Sequence, residues 1–347
     1  MEGMIERYSL RSNYQISRVI KGGWQLSDGH SQEISSDPVA DMFAFLERGI
    51  YTFDCADIYT GVEAMIGEFI AANKKRSSPF AVRVHTKYVP DYDQLGSLTK
   101  ADVEAIIDRS LLRLNLERLD MVQFHWWNYS APGTVEAAMW LKELQQAGKI
   151  ELLSTTNFNT DRTRDILNAG VELATTQVQY SLLDPRPEKA LLSLCAEHNM
   201  HLLCYGTLAG GFLSERWLDQ PEPKAFSNRS LIKYKLMIDE VGGWDLFQSL
   251  LKVLNRIAEK HGVTIASVAS NWVLAQAQVA AVIIGSRNAA HVDRYKEVFA
   301  LQMDDHDRDA INNVKAQMSI PADDVFDLER DKNGAHGSIM KYNLNAE

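Results

Sequence analysis

The stretch FDCADIYTGVE, residues 53–63, sets an acid, Asp54, five positions before a phenol, Tyr59, at the end of an apolar run. Two further apolar runs end in HTK and QFHW, which brings in an amine at Lys87 and an imidazole at His125. A phenol with a pKa near ~10 is a poor acid at neutral pH, and a neighbouring cation is the simplest way to loosen its proton. Lys87 supplies such a cation and Asp54 an anion to hold it. His125 offers a hydrogen-bond donor for an oxygen that gains negative charge. A proton passed from Tyr59 to that same oxygen would complete the reduction of a carbonyl to an alcohol. No side chain donates hydride, so this chemistry requires a bound hydride carrier.

These groups meet only if the strands that carry them end at one rim. Eight short apolar runs read as strands: 17–23, 50–55, 80–87, 119–126, 150–157, 174–180, 200–206 and 279–285. Most are apolar throughout rather than alternating, as in parallel strands buried on both faces. Segments of helical period lie between them. One starts at Asp37-Pro38, has Met42, Phe43 and Leu46 as its apolar side and stops at Gly49. A second starts at Thr99 and carries Val103, Ile106, Ile107, Leu111 and Leu114; a third runs from Pro132 to Gly148. Others begin near Thr160, Glu188, Trp244, Thr264 and Ala290. Eight strand–helix units without a Pro/Gly/Ser-rich linker predict a (β/α)8 barrel, a TIM barrel formed by residues 1–347 as one domain. The runner-up, a doubly wound sheet, would carry a Gly-rich first turn, and no G-x-G-x-x-G is present. Extra structure is expected after the seventh strand (207–262), a further helix at 304–317, and a polar C-terminal tail at 319–347 as a candidate cover for the barrel mouth.

In such a barrel the C-terminal strand ends share one mouth, where the active site sits. Taken in order they are Gly22-Gly23-Trp24, Asp54 with Tyr59, Lys87, His125, Thr156-Asn157, Gln177, Tyr205 and Gly285-Ser286-Arg287. The amides of Asn157 and Gln177 suit a nicotinamide carboxamide, and Tyr205 offers a flat face for its ring, so the set asks for NAD(P)H. His85, two before Lys87, is expected to face the mouth without a role. Trp126 and Trp127 must point to opposite sides of their strand.

Composition narrows the partners. The chain has 347 residues and a net charge of −10, which argues against nucleic acid while leaving room for a phosphate bound locally. Three cysteines with no C-x-x-C pair give neither a disulfide framework nor a cysteine-rich zinc site, so no metal is expected. No signal-peptide pattern and no apolar run of membrane-spanning length occur, so the expectation is a cytoplasmic protein without a membrane partner.

Taken together, these segments resemble the aldo-keto reductase superfamily over about residues 16–300. FDCADIY resembles its aspartate and catalytic tyrosine, HTK its lysine, and LDMVQFHWW its active-site histidine. STTNF is similar to its serine-asparagine-phenylalanine motif, with Thr156 in place of serine. TTQVQYSLLD, CYGTLAGGFL and IIGSRNAAHVDRY are similar to its carboxamide, nicotinamide-stacking and adenosine-phosphate segments. The resemblance implies Tyr59 as general acid, Asp54 and Lys87 as its tuners, and His125 as the group that orients the carbonyl. It implies cofactor contacts from Gly23, Thr156, Asn157, Gln177, Tyr205, Leu208, Gly210, Ser286, Arg287 and His291, with a helix N-terminus near Ala290 facing the phosphate. Trp24 and Trp126 match positions that line the substrate pocket. Arg287 favours NADPH, whereas His291 and Tyr295 depart from the usual pattern and leave NADH possible. The function implied is NADPH-dependent reduction of an aldehyde or ketone. The alternatives are an NAD-linked sugar or polyol dehydrogenase and a cofactor-binding regulatory subunit. In the resembled family such tails shape substrate choice, and Ile339, Met340 and Tyr342 are the residues expected at the mouth.

Overall fold

The computed structural model describes residues 4–27, 36–226, 229–321 and 323–345. A hairpin comes first, β1 (Arg7–Arg11) and β2 (Tyr14–Ser17), followed by β3 (Val19–Gly22) and α1 (Pro38–Glu47). Then come β4 (Thr52–Asp54), α2 (Val62–Lys74), β5 (Arg83–Tyr88), α3 (Lys100–Leu114), β6 (Leu119–Phe124), α4 (Thr134–Gln146), β7 (Ile150–Thr156) and α5 (Thr160–Asn168). The second half has β8 (Thr175–Gln179), α6 (Leu191–Glu197), β9 (His201–Tyr205), α7 (Arg229–Val241), α8 (Gly243–His261), α9 (Ile265–Leu274) and β10 (Val279–Gly285). Three helices end the chain: α10 (Tyr295–Ala300), α11 (Asp305–Lys315) and α12 (Asp327–Arg330).

Strands β3 to β10 pair in parallel in sequence order, and β10 closes the ring on β3. This is a (β/α)8 barrel. Its register sets Gly22 beside Asp54, Lys87 beside Gln123, Thr156 beside Gln177 and Gln179 beside Tyr205. The strand ends therefore form one rim. Apolar residues on the outer strand faces, Val84, Val122, Val178 and Val282 among them, share a core with Ile66, Ile107, Leu141, Ile166 and Val268 from the helices. Each aliphatic side chain buried this way contributes about 1.5–3 kcal/mol.

Local chemistry explains the helix starts. Asp37 accepts from the Ala40 amide at 2.9 Å ahead of Pro38, and Thr99 with Asp102 makes a reciprocal capping box before α3. The face of α1 differs by one residue from expectation: Met42, Phe45 and Leu46 are buried, while Phe43 packs at the edge on Phe69. Helix α2 and the β1–β2 hairpin lie outside the sequence expectation. The hairpin closes the bottom of the barrel, where Leu10, Tyr14 and Ile16 pack on Ile20, Met121 and Leu203. Its Tyr14 hydroxyl meets His85 Nε2 at 3.2 Å. His85 thus belongs to the barrel interior rather than the mouth, and burial lowers its pKa to about 3.

The segment expected to open a helix near Ala290 is instead irregular up to a single 3-10 turn, Val292–Arg294, and α10 starts only at Tyr295. Cys55, Cys195 and Cys204 are buried and unbonded. Among the described residues no helix is long and apolar enough to cross a membrane.

Candidate active site

Asp54 closes β4, and its carboxylate is where the site's polar groups converge. Oδ2 accepts from Lys87 Nζ at 2.6 Å; Oδ1 accepts from Gln123 Nε2 at 2.8 Å and Gln177 Nε2 at 2.6 Å. Gln177 also donates to Gln123 Oε1 at 2.8 Å, and Lys87 to the Cys55 carbonyl at 2.8 Å. Burial works to lower the Lys87 ammonium, but Asp54 and Tyr59 outweigh it and hold the group above its ordinary value. Gln123 was not among the expected site residues, although it sits two before His125 on the same strand face.

Tyr59 reaches the rim on a loop that the sequence pins down. The buried Asp57 accepts from the amides of Ile58 at 2.9 Å and Val89 at 3.1 Å, and Arg113 donates to its carbonyl at 3.2 Å. The Tyr59 ring packs 5.0 Å from Trp24, with the Lys87 ammonium 4.9 Å from its centre. Burial raises the phenol and Lys87 pulls it down, with burial the stronger. The expected loosening is present, but the net shift is upward.

His125 Nδ1 lies 2.9 Å from the Thr156 carbonyl. A carbonyl only accepts, so Nδ1 carries the proton. Burial first and the Arg330 charge second lower the ring to about 3, against the Thr156 bond. The neutral ring therefore spends its one N–H on Thr156 and presents Nε2 as a lone pair. Nε2 is buried and has no partner among the described residues. The expected donated hydrogen bond would need the imidazolium, which burial opposes.

One cavity of about 800 Å³ joins these groups to the rest of the rim. Its lining includes Trp24, Asp54, Tyr59, Lys87, His125, Thr156, Asn157, Gln177, Tyr205, Leu208, Gly210, Ser286, Arg287 and His291. Asn157 adopts φ +60°, and its Oδ1 accepts from the Tyr205 hydroxyl at 2.8 Å. Gly206 and Gly210 let the chain pass against Tyr234, whose atoms a Cβ would meet at 2.5 and 2.7 Å. Beneath Ser286–His291, Lys21 Nζ donates to the Ser286 carbonyl at 2.8 Å and Asp41 accepts from the Ala289 amide at 3.1 Å.

Two expected positions fall elsewhere. Trp126 is fully buried outside the cavity, edge-on to Phe124, and its indole donates to the Asn128 carbonyl at 2.9 Å. Trp127 lines the cavity in its place, edge-on to His125 at 4.3 Å. Gly23 does not line the cavity, whereas Gly22 does. Gly23 instead donates its amide to the Asp54 carbonyl at 2.7 Å, so close that a Cβ would meet that oxygen at 2.6 Å.

The tail supplies more of the wall. Phe326, Ile339, Met340, Lys341 and Leu344 line the cavity, and Tyr342 stands behind Trp127 at 5.1 Å. Ion pairs hold it: Glu329 accepts from Arg186 at 3.0 and 3.1 Å, and Lys233 stands 3.4 Å away. The wall is cationic, with Arg216, Arg229, Lys233, Arg287 and Lys341 against Asp54 as the acid among the described lining residues.

Three comparisons place the chain among known proteins. The family model described as Aldo/keto reductase family matches residues 18–316. Flagellar radial spoke protein 5 of Chlamydomonas reinhardtii is 29% identical over 62% of this chain, which spans only 48% of that protein. The NADH-specific methylglyoxal reductase of Escherichia coli is 25% identical over 85% of this chain and 93% of its own. Among solved structures, the glycerol dehydrogenase of Gluconobacter oxydans superposes with a TM-score of 0.74 at 25% identity, covering 93% of this chain and 98% of that one.

Proposed function

The chain belongs to the aldo/keto reductase family of NAD(P)H-dependent oxidoreductases, and on that basis we propose that it reduces an aldehyde or ketone with NADPH, Tyr59 being the proton donor. The observation that carries this reading is the convergence of Asp54, Lys87, Tyr59 and the unpartnered His125 Nε2 on one cavity. The residues fit a dinucleotide. A cationic wall in a chain of net charge −10 suits its phosphates, and a buried acceptor with nothing to accept suits a ligand hydroxyl.

When bound, the reduced nicotinamide supplies the hydride. Thr156, Asn157, Gln177 and Tyr205 would hold its ring and amide, while Leu208, Gly210, Ser286, Arg287 and His291 would hold its phosphates and adenosine. Arg287 supports NADPH because a guanidinium matches a 2′-phosphate by charge-assisted, two-pronged bonding. Tyr59, kept protonated by burial, gives its proton to the carbonyl oxygen, and Lys87 steadies the phenolate left behind. The new hydroxyl then finds His125 Nε2 as its acceptor. Trp24 and Trp127 wall the substrate side.

Replacing Tyr59 with phenylalanine should lower kcat by about 10²–10⁴ and leave NADPH affinity, measured by fluorescence titration, unchanged. An undiminished kcat refutes the assignment. A second reading, NAD-linked alcohol oxidation, draws on His125 Nε2 as an acceptor already set for an alcohol hydroxyl, and on the two relatives whose names specify NADH or glycerol. Titrating both cofactors separates the two, since tighter binding of NADH favours the second.

A further inference from the structure

The tail reaches the catalytic rim through one side chain. Nη2 of Arg330, the last residue of α12, donates to the carbonyls of Trp126 at 2.9 Å and Asn157 at 2.6 Å. Nη1 donates to the Phe326 carbonyl at 3.1 Å, and the guanidinium lies 3.9 Å from the centre of the Tyr129 ring. The two carbonyls matter for what precedes them. His125 comes just before Trp126, and Thr156 just before Asn157. The bond from His125 Nδ1 to the Thr156 carbonyl is the one that fixes the imidazole tautomer. A single nitrogen thus bridges the two chains one residue beyond that bond.

Among the described residues no sheet hydrogen bond does this work. The β6–β7 ladder ends at the pairing of Phe124 with Thr155. Past it, the His125 amide turns to Tyr88 and the Asn157 amide to Gln177, each bonding away from the other chain. The gap is spanned by the His125 ring and by Arg330. A lysine, a point charge on a flexible stem, would not bridge both carbonyls while stacking on Tyr129. Arg330 itself is held in place by its neighbours, since Glu329 pairs with Arg186 and Asp327 accepts from Asn159 at 3.0 Å.

We propose that Arg330 is a positioning residue of the active site: its guanidinium clamps the main chain beyond β6 and β7 and so fixes the His125 ring and the Asn157 side chain. The tail is then part of the catalytic framework and not only a pocket wall. The kinetic consequence rests on the reductase reading; the structural one does not.

The test uses Arg330→Ala and Arg330→Lys in the full chain. For Arg330→Ala, kcat should fall about 10–100-fold, as expected when a catalytic group is misplaced, with the substrate KM moving less than about threefold. Arg330→Lys should fall between it and the parent. Millimolar guanidinium ion should recover part of the loss in Arg330→Ala alone, and the loss should largely vanish in a His125→Ala background, because residues acting as one unit are not additive. Independently of turnover, the nitrogen-15 spectrum of labelled histidine should show His125 as the Nδ1–H tautomer in the parent and as a tautomer mixture in Arg330→Ala. Parental kcat, or an unchanged His125 spectrum in a folded Arg330→Ala or Arg330→Lys protein, overturns the proposal. A parent that turns over no carbonyl with either cofactor refutes the reductase reading instead, and the spectrum still decides the clamp.

Discussion

Asp54→Asn changes one atom type at the place where three donors meet. Lys87, Gln123 and Gln177 all point N–H groups at the carboxylate, at 2.6, 2.8 and 2.6 Å. An asparagine amide has one accepting oxygen, so whichever way it turns, an N–H faces an N–H. Lys87 also loses its counter-ion while staying buried, and breaking a buried pair on one side costs about 3–5 kcal/mol. For 347 residues, an unfolding entropy of about 2.1 cal/mol/K per residue turns that cost into a Tm drop of about 4–7 °C. Burial is then left to lower the Lys87 pKa unopposed by Asp54. An amine that sheds its proton no longer steadies a Tyr59 phenolate, so kcat should fall by about 10² or more. Scanning calorimetry reads the first effect, and single-turnover loss of reduced-nicotinamide absorbance reads the second. A Tm within about 1 °C of the parent, together with an unchanged single-turnover rate, would refute the view that this carboxylate organises the site.

Lys21 gives a pH signature. Burial lowers its pKa from 10.5 to about 7 in the folded chain, so between those values the unfolded chain binds a proton that the folded one does not. Stability should therefore rise as pH climbs from 7 to 10.5, by up to about 4–5 kcal/mol. Denaturant titrations of Lys21→Met should show this rise missing; a parallel pH dependence in both proteins counts against it. Trp127→Ala should raise KM for bulky carbonyls by about tenfold, the loss of one cavity wall, and should lower Tm as well, since the ring is buried against His125 and Tyr342. Trp126→Ala should leave KM alone and cost about 3–5 kcal/mol of stability in a melt, since that ring fills core.

The rim was legible because a parallel barrel leaves little freedom: once the eight runs are strands in order, their ends share a mouth, and Asp54, Lys87, His125 and Gln177 follow. The Trp126 assignment missed for a reason the sequence itself contains. Side chains alternate along a strand, so the parity that turns Gln123 and His125 inward continues to Trp127 and turns Trp126 out. Tyr14 and the bottom hairpin were harder, since two short, half-polar strands announce no period. The tail's place at the mouth was expected, with Ile339 and Met340 on the cavity wall, but the route it takes was not legible. Its path is decided by Glu329 with Arg186 and by Arg330 with two main-chain carbonyls, pairings between distant residues that no local pattern encodes. Net charge was equally silent on the cationic cavity wall, because the acidic excess lies elsewhere on the chain.

The protonation states set the pH dependence expected of each direction. Reduction consumes a proton from Tyr59, and oxidation needs the phenolate as base. Burial holds the phenol above its ordinary value, so at neutral pH the donor form that the proposed reduction needs prevails. His125, lowered to about 3, stays neutral from mildly acidic pH upward and adds no titration there. The rate of carbonyl reduction should therefore be level from about pH 5 to 8 and decline only toward the phenol range, while alcohol oxidation gains over that same alkaline interval. Steady-state rates in both directions across pH decide the point. A reductive rate that falls with a midpoint near ~6.5 would mean that a histidine titrates in the reaction. The neutral, Thr156-bound state of His125 would then be the wrong basis for the mechanism.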